Sequence, residues 1–278
     1  MPDITAEELA RLDRLLDHLG YDLEPSILIG GWATNMRVGG DVSRDIDLII
    51  ADPGLRSRLR STLTDYTENR IHSGGTKGRG TIDGIHVDAY IPHESQLGNK
   101  LMLDVARLAH HIDSERYRGW MLLTAEAHVA TKIAALLDRP DSEKGSKDAR
   151  EIVRMLGAGA EARGVIEVLY GCTAGDVAAL PAHIQTALDL IPSRAGLNKK
   201  ERREFDRTRR EWLDIVRRRP TSAVTAARPP FASGTSGTGF AGDQLRAKDG
   251  RYSEYRSAPA GGGRPLTIPP EMDEGSES

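Results

Sequence analysis

Three aspartates are the side chains best placed to do chemistry, and their spacing says how they must be held. Asp45 and Asp47 are one residue apart in the isoleucine-rich run 45–50, Asp-Ile-Asp-Leu-Ile-Ile, a composition that favours a strand. Strand side chains alternate faces, so the two carboxylates share one face and Ile46 and Leu48 the other. Like charges side by side repel unless a cation sits between them. Mg2+ and similar hard cations take oxygen ligands, commonly one or two carboxylates with substrate phosphates. The pattern points to metal-dependent phosphoryl or nucleotidyl transfer; a solvated strand end is the plainer alternative. Gly30-Gly31 upstream weighs against that alternative. It stands where a turn hands over to a helix, and exposed N–H groups there favour phosphate.

Asp88 lies in a second alternating run, 85–91. Ile85, Val87, Ala89 and Ile91 share one face; His86, Asp88 and Tyr90 share the other. Beside the first strand, Asp88 adds a third carboxylate; otherwise it belongs to an exposed polar face. A third carboxylate completes a second metal position and can take the proton of an attacking hydroxyl. His86 and His93 read as neighbours rather than ligands. The adjacent pair His110-His111 faces apart on either kind of element, so it is not read as a metal site.

The elements that must position these residues follow from periodicity. A capping box at Thr5 and Glu8 opens a helix over 5–19, with leucines at 9, 12, 15, 16 and 19, and Gly20 as its stop. A strand over 26–29 and a short helix over 31–38 lead to the aspartates. After the Pro53-Gly54 turn, residues 55–66 read as helix. Strands 68–72 and 81–91 flank a glycine-rich loop, 73–80, that lacks the ending of a P-loop. That loop is a simple connection, or a means for Lys77 or Arg79 to reach a triphosphate. Residues 95–118 stay ambiguous between strand and helix. A strong helix covers 123–138, and Lys147-Asp148 reads as opening another. Residues 161–192 look helical in pieces, broken at Gly171, Pro181 and Pro192. Residues 198–219 form a basic helix with ten basic and five acidic residues. Phe205, Trp212, Leu213 and Val216 give it one apolar stripe. A salt-bridged terminal helix and an RNA-backbone contact are both open. Residues 221–278 are rich in Gly, Ser, Pro and Ala without a period, which predicts a disordered tail.

The chain has 278 residues, 38% of them hydrophobic, and a net charge of −3. Any nucleic-acid contact must therefore come from a local patch. The single cysteine, Cys172, excludes an intrachain disulfide and a cysteine-based zinc cluster. No apolar run is long enough to span a membrane and no signal-peptide pattern opens the chain, so the expectation is a soluble cytoplasmic protein.

Gly30-Gly31, thirteen intervening residues and Asp45-Ile46-Asp47 resemble the signature of the DNA-polymerase-β-type nucleotidyltransferase superfamily. The chain is similar, more narrowly, to the AbiEii-type toxins of type IV toxin–antitoxin systems. Gly30 to Arg37 echoes their Gly-Ser-x-x-Leu-x-x-Arg motif, with Gly31 for Ser and Thr34 for Leu. Ser43-Arg44-Asp45-Ile46-Asp47 matches the second motif. In 123–139, Lys132, Ala135 and Arg139 fall in register with the third, and Thr131 replaces its glutamate. Lys147, Asp148 and Ile152 match the fourth, with Glu151 for Asp and Gly145 for Arg. The resemblance covers roughly residues 25–155.

It implies an α/β (α+β) fold: a polymerase-β-like core over 1–120 with a small mixed sheet flanked by helices. A helical part over 121–219 completes the site, and the tail follows over 221–278. It implies Mg2+ (or Mn2+) held by Asp45, Asp47 and Asp88, with a nucleoside triphosphate as substrate. Gly30, Gly31, Arg37, Ser43 and Lys132 would bind that substrate, Lys132 through its phosphates, and Asp148 would be the acid of the fourth segment. An acceptor RNA such as a tRNA 3′ end, and a cognate antitoxin, are the implied partners. The Gly-Gly-Trp-Ala start also occurs in antibiotic-modifying nucleotidyltransferases, which remain the alternative, beside a catalytically silent binding module.

Overall fold

A mixed sheet positions the aspartates. The computed structural model describes residues 6–70 and 75–219, except the side chains of Glu8 and Arg11. The capping box at Thr5 and Glu8, the end of the expected 68–72 strand and the tail over 221–278 lie outside the described residues.

In chain order the elements are α1 (Ala6–Asp22), β1 (Ile27–Ile29), α2 (Gly30–Val38), β2 (Asp45–Ile49), α3 (Pro53–Thr62) and β3 (Thr64–Arg70). The hairpin β4 (Thr76–Ile82) and β5 (Ile85–Tyr90) comes next. Then follow β6 (Gln96–Leu97), β7 (Leu103–Asp104), α4 (Val105–Leu108), β8 (Ile112–Tyr117) and β9 (Trp120–Leu123). The remainder is helical: α5 (Ala125–Asp138), α6 (Glu143–Gly157), α7 (Ala162–Cys172), α8 (Leu180–Arg194) and α9 (Lys199–Arg218).

The seven-stranded sheet runs β3-β4-β5-β2-β1-β9-β8, and β6 and β7 form a separate pair. β2 lies parallel to β5 and antiparallel to β1; β1 is parallel to β9. Each face of the sheet carries its own apolar core. Leu28, Ile46, Leu48, Val87 and Ala89 pack with the leucines of α1 and α3. Ile27, Ile29 and Ile49 pack on the other face with α5 to α9. The expected mixed sheet flanked by helices is what the structure shows. Among the described residues, no helix is long and apolar enough to cross a membrane.

Several boundaries differ from those read in the sequence. Residues 76–80 of the glycine-rich loop and the strand expected over 81–91 form one hairpin, turning at Asp83-Gly84, where both residues have positive φ, and residues 73–74 of that loop lie outside the described residues. That is the backbone of a tight hairpin turn, and Asp-Gly is a strong signal for it. Gly78 and Gly80 sit inside β4 because Tyr66 and Leu63 cross them too closely for a side chain. Gly20 does not stop α1 but lies within it, against the Trp120 ring and the Arg118 carbonyl. α6 begins at Glu143, capped by Ser142, so Asp148 is a mid-helix residue rather than a helix-opening acid. Pro181 starts α8 instead of breaking it, and Pro192 is carried inside that helix.

Candidate active site

β2 and β5 run parallel with Asp45 opposite His86 and Asp47 opposite Asp88. The alternation that buries Ile46, Leu48, Val87 and Ala89 in one core turns all three aspartates to the opposite face. There they line a cleft of about 980 Å3, walled by the start of α2, the 40–45 segment, β4, α5 and the first half of α6.

Each aspartate has its own surroundings. Asp45 is more accessible than Asp88 and accepts a hydrogen bond from Lys144 Nζ at 3.3 Å. Asp88 is clamped: Arg79 donates from Nε at 2.6 Å and Nη2 at 2.8 Å, and Lys77 Nζ donates at 2.7 Å. Burial works to raise its pKa, but those bonds and their charges outweigh it and hold the carboxyl below its ordinary value. Asp47, between the two, is pushed up to about 6 by burial and by the Asp88 charge, with Lys132 opposing across space. Unneutralised negative charge is thus concentrated at Asp47.

The turn beside it is built for close approach. Gly30 has φ +73, and a Cβ there would stand 2.4 Å from Asp47 Oδ2. A Cβ on Gly31 would meet Ser43 Cβ at 2.8 Å and Lys147 Nζ at 3.0 Å. No side chain caps α2, and Gly30 and Gly31 line the cleft. His128 fixes this turn from behind: Nε2 lies 3.1 Å from the Gly30 carbonyl and 3.3 Å from Thr34 Oγ1. Burial and the Lys132 charge lower the His128 pKa to about 3, so the ring is neutral and its N–H donates to the carbonyl. His128 had no assignment in the sequence analysis; a histidine on an apolar helix face carries no signal of its own.

α5 and α6 supply a buried charge cluster at the back of the cleft. Lys132 Nζ lies 3.5 Å from Asp148 Oδ1 and contacts Glu151. Arg139 donates to Asp148 Oδ2 from Nε at 2.9 Å and Nη2 at 2.8 Å. Lys147 Nζ donates to the Val42 carbonyl at 2.9 Å and lies 3.8 Å from Glu151. Burial raises Glu151 and lowers Lys147. Asp148 is therefore a partner of Lys132 and Arg139, and its contacts are those of a positioning residue.

Of the residues singled out in the sequence, Gly30, Gly31, Ser43, Asp45, Asp47, Asp88, Lys132 and Asp148 line this one cleft. Arg37 does not. It donates to the Leu123 carbonyl at 2.6 Å, pairs with Asp113 at 2.9 Å and stacks over Tyr117. It sits two turns along α2 from Gly30 and points to β8 and β9, away from the cleft in which the expected substrate contact would lie. Lys77, Arg79, Arg139, Lys144 and Lys147 join the cleft lining.

The donor set suits a hard cation: among the described residues the cleft lining holds carboxylates and no imidazole or thiol. Among the described residues, no three His, Cys, Asp or Glu side chains converge as a ready ion cage. Asp88 is instead turned onto Lys77 and Arg79.

No family model matches this chain, and no curated protein matches it. Solved structures do. An antigenic nucleotidyltransferase-like protein from Paracoccidioides brasiliensis is 17% identical, over 68% of this chain and 94% of its own, with a TM-score of 0.37. ANT(2″)-Ia in complex with adenylyl-2″-tobramycin is 13% identical, over 59% and 95%, with a TM-score of 0.41. The Thermotoga maritima CCA-adding enzyme complexed with tRNA is 13% identical, over 77% of this chain and 53% of its own, with a TM-score of 0.31.

Proposed function

We propose that the chain is a nucleotidyltransferase that moves a nucleotide from a nucleoside triphosphate to an acceptor hydroxyl, with a tRNA 3′ end as the acceptor. The observation that carries this reading is the register of Asp47 with Asp88 across parallel strands, beside an uncapped helix start and a lysine-rich wall. The motifs at Gly30–Arg37, Ser43–Asp47, Lys132 and Lys147–Asp148 support the finer assignment to an AbiEii-like cytoplasmic toxin, whose partner would be a cognate antitoxin.

Asp45, Asp47 and Asp88 would hold two divalent ions, Mg2+ or Mn2+, which when bound offset the charge of the triphosphate. The chain's own groups do the rest. The N–H groups at Gly30 and Gly31 hold phosphate oxygens. The acceptor oxygen bonds to the α-phosphorus as the bond to the β-phosphate oxygen breaks. Lys132 offsets the charge of the departing pyrophosphate, and Asp148 and Arg139 keep its position. Lys77 and Arg79 turn from Asp88 to the phosphates, and Asp88 takes the hydroxyl proton.

Incubating the purified chain with each labelled triphosphate and total tRNA tests this directly. Labelled tRNA with one triphosphate, lost in Asp47→Ala, is the expected result. Label on aminoglycosides or lincosamides instead would give the acceptor as a small molecule. Growth inhibition that survives Asp47→Ala would identify a binding module.

A further inference from the structure

The active-site reading leaves the outer face of α9 unused. The helix carries nine lysines and arginines against five acids, although the whole chain is net negative at −3. These charges are sorted by face. Phe205, Trp212 and Val216 bury one side. At 3.6 residues per turn, Lys200, Arg203, Arg207, Arg210, Arg217 and Arg218 fall in about one third of the circumference, opposite that buried side. All six are exposed. The acids Glu201, Glu204, Asp206 and Glu211 lie off this stripe; only Asp214 interrupts it, pairing with Arg217. The side chains of Arg203 and Arg207 make no hydrogen bond or ion pair with any described residue.

The start of the stripe is connected through the end of α8 to the rim of the cleft. Arg194, in the last turn of α8, hydrogen-bonds Asp141, which lies between the cleft-lining Arg139 and Lys144. Lys199 is five residues beyond Arg194, so their Cα atoms lie within about 18 Å of each other. From Lys200 to Arg218 the stripe then runs about 27 Å, at 1.5 Å per residue. A chain of phosphates is the ligand whose charge repeats over such a length, and arginine forks suit phosphate oxygens.

We propose that this face of α9 binds the sugar-phosphate backbone of the acceptor RNA, holding the body of the molecule while its end enters the cleft. The inference rests on the nucleotidyl-transfer reading for what the bound RNA is used for, and on the stripe alone for the binding itself.

The test uses the full chain and the variant R203E/R207E/R210E, whose three side chains face solvent. Fluorescence anisotropy with a labelled tRNA transcript, without triphosphate, is followed from low to moderate salt. The variant should bind at least about tenfold more weakly, with the slope of log affinity against log salt reduced by about two to three. Its melting temperature and its affinity for the triphosphate should equal the parent's. Unchanged tRNA affinity overturns the proposal. So does competition by polyglutamate or phosphatidylserine vesicles as effective as that by RNA, which would point to an acidic protein or a membrane. Lost tRNA binding in a chain that transfers nucleotide to no acceptor would refute the enzymatic reading and leave this one standing. Undiminished labelling of tRNA by the variant would do the reverse.

Discussion

Asp88 is held by two cations, Lys77 and Arg79, and that has a measurable effect. They neutralise its charge, and a divalent ion must compete with them. In K77M/R79M, Mn2+ should bind the ligand-free chain more tightly, while the triphosphate should bind more weakly. About tenfold in each direction is the scale of one charge-assisted contact. Isothermal titration with Mn2+ alone and with the triphosphate reads both; changes of the same sign would contradict the handover. Asp47 gives a second test. Its folded-state value of about 6 lies above the ordinary 3.8. Its contribution to stability is therefore intact below about pH 4 and lost as pH rises through 6. That loss is on the order of 2–3 kcal/mol. Urea unfolding of the metal-free chain should show this fall between pH 4 and 7, and Asp47→Asn should remove it. The aspartates were legible because alternation fixes which way a strand side chain points. Arg37 was not, because a motif gives position along a helix but not what the far end of that helix packs against.

At the scale of elements, the turn into α2 is the tightest fit around the site. Gly30→Ala must place a Cβ at positive φ and against the Asp47 carboxylate. Gly39 has a similar φ, +68, but open space around it. Gly39→Ala should cost only the backbone strain, about 1–3 kcal/mol for this glycine-only conformation. Gly30→Ala should cost more and also lose triphosphate binding; denaturant melts and titration calorimetry separate the two effects. Equal costs would mean that the carboxylate contact is slack. Most helices were readable from their apolar spacing, as α5 and α9 show. The β4–β5 hairpin was not. Its glycines suggested a loop, whereas they are strand positions crossed by Tyr66 and Leu63, contacts between residues distant in sequence. Gly20 misled for the same reason: Trp120 occupies the space its side chain would need.

At the scale of the molecule, the cluster around Lys132 ties α5 to α6 and, through Lys147, to the segment before β2. Removing Lys132 strips the fully buried Glu151 of its closest cation, while Asp148 keeps Arg139. Lys132→Met should destabilise the fold by about 3–5 kcal/mol, and adding Glu151→Gln should recover part of that. Chemical denaturation of the single and double variants checks it; no recovery would mean that the cost lies in lost packing. Motif register suggested a phosphate-binding lysine here, but the carboxylates that hold it became visible only when the helices were packed together. The cleft, finally, takes one wall from the early strands and another from helices a hundred residues later. A molecule bound between them would fasten distant stretches of chain to each other. Occupancy should then raise the unfolding temperature of the whole described fold, by an amount set by concentration relative to affinity. The cognate triphosphate could be picked out by thermal shift before any acceptor is known.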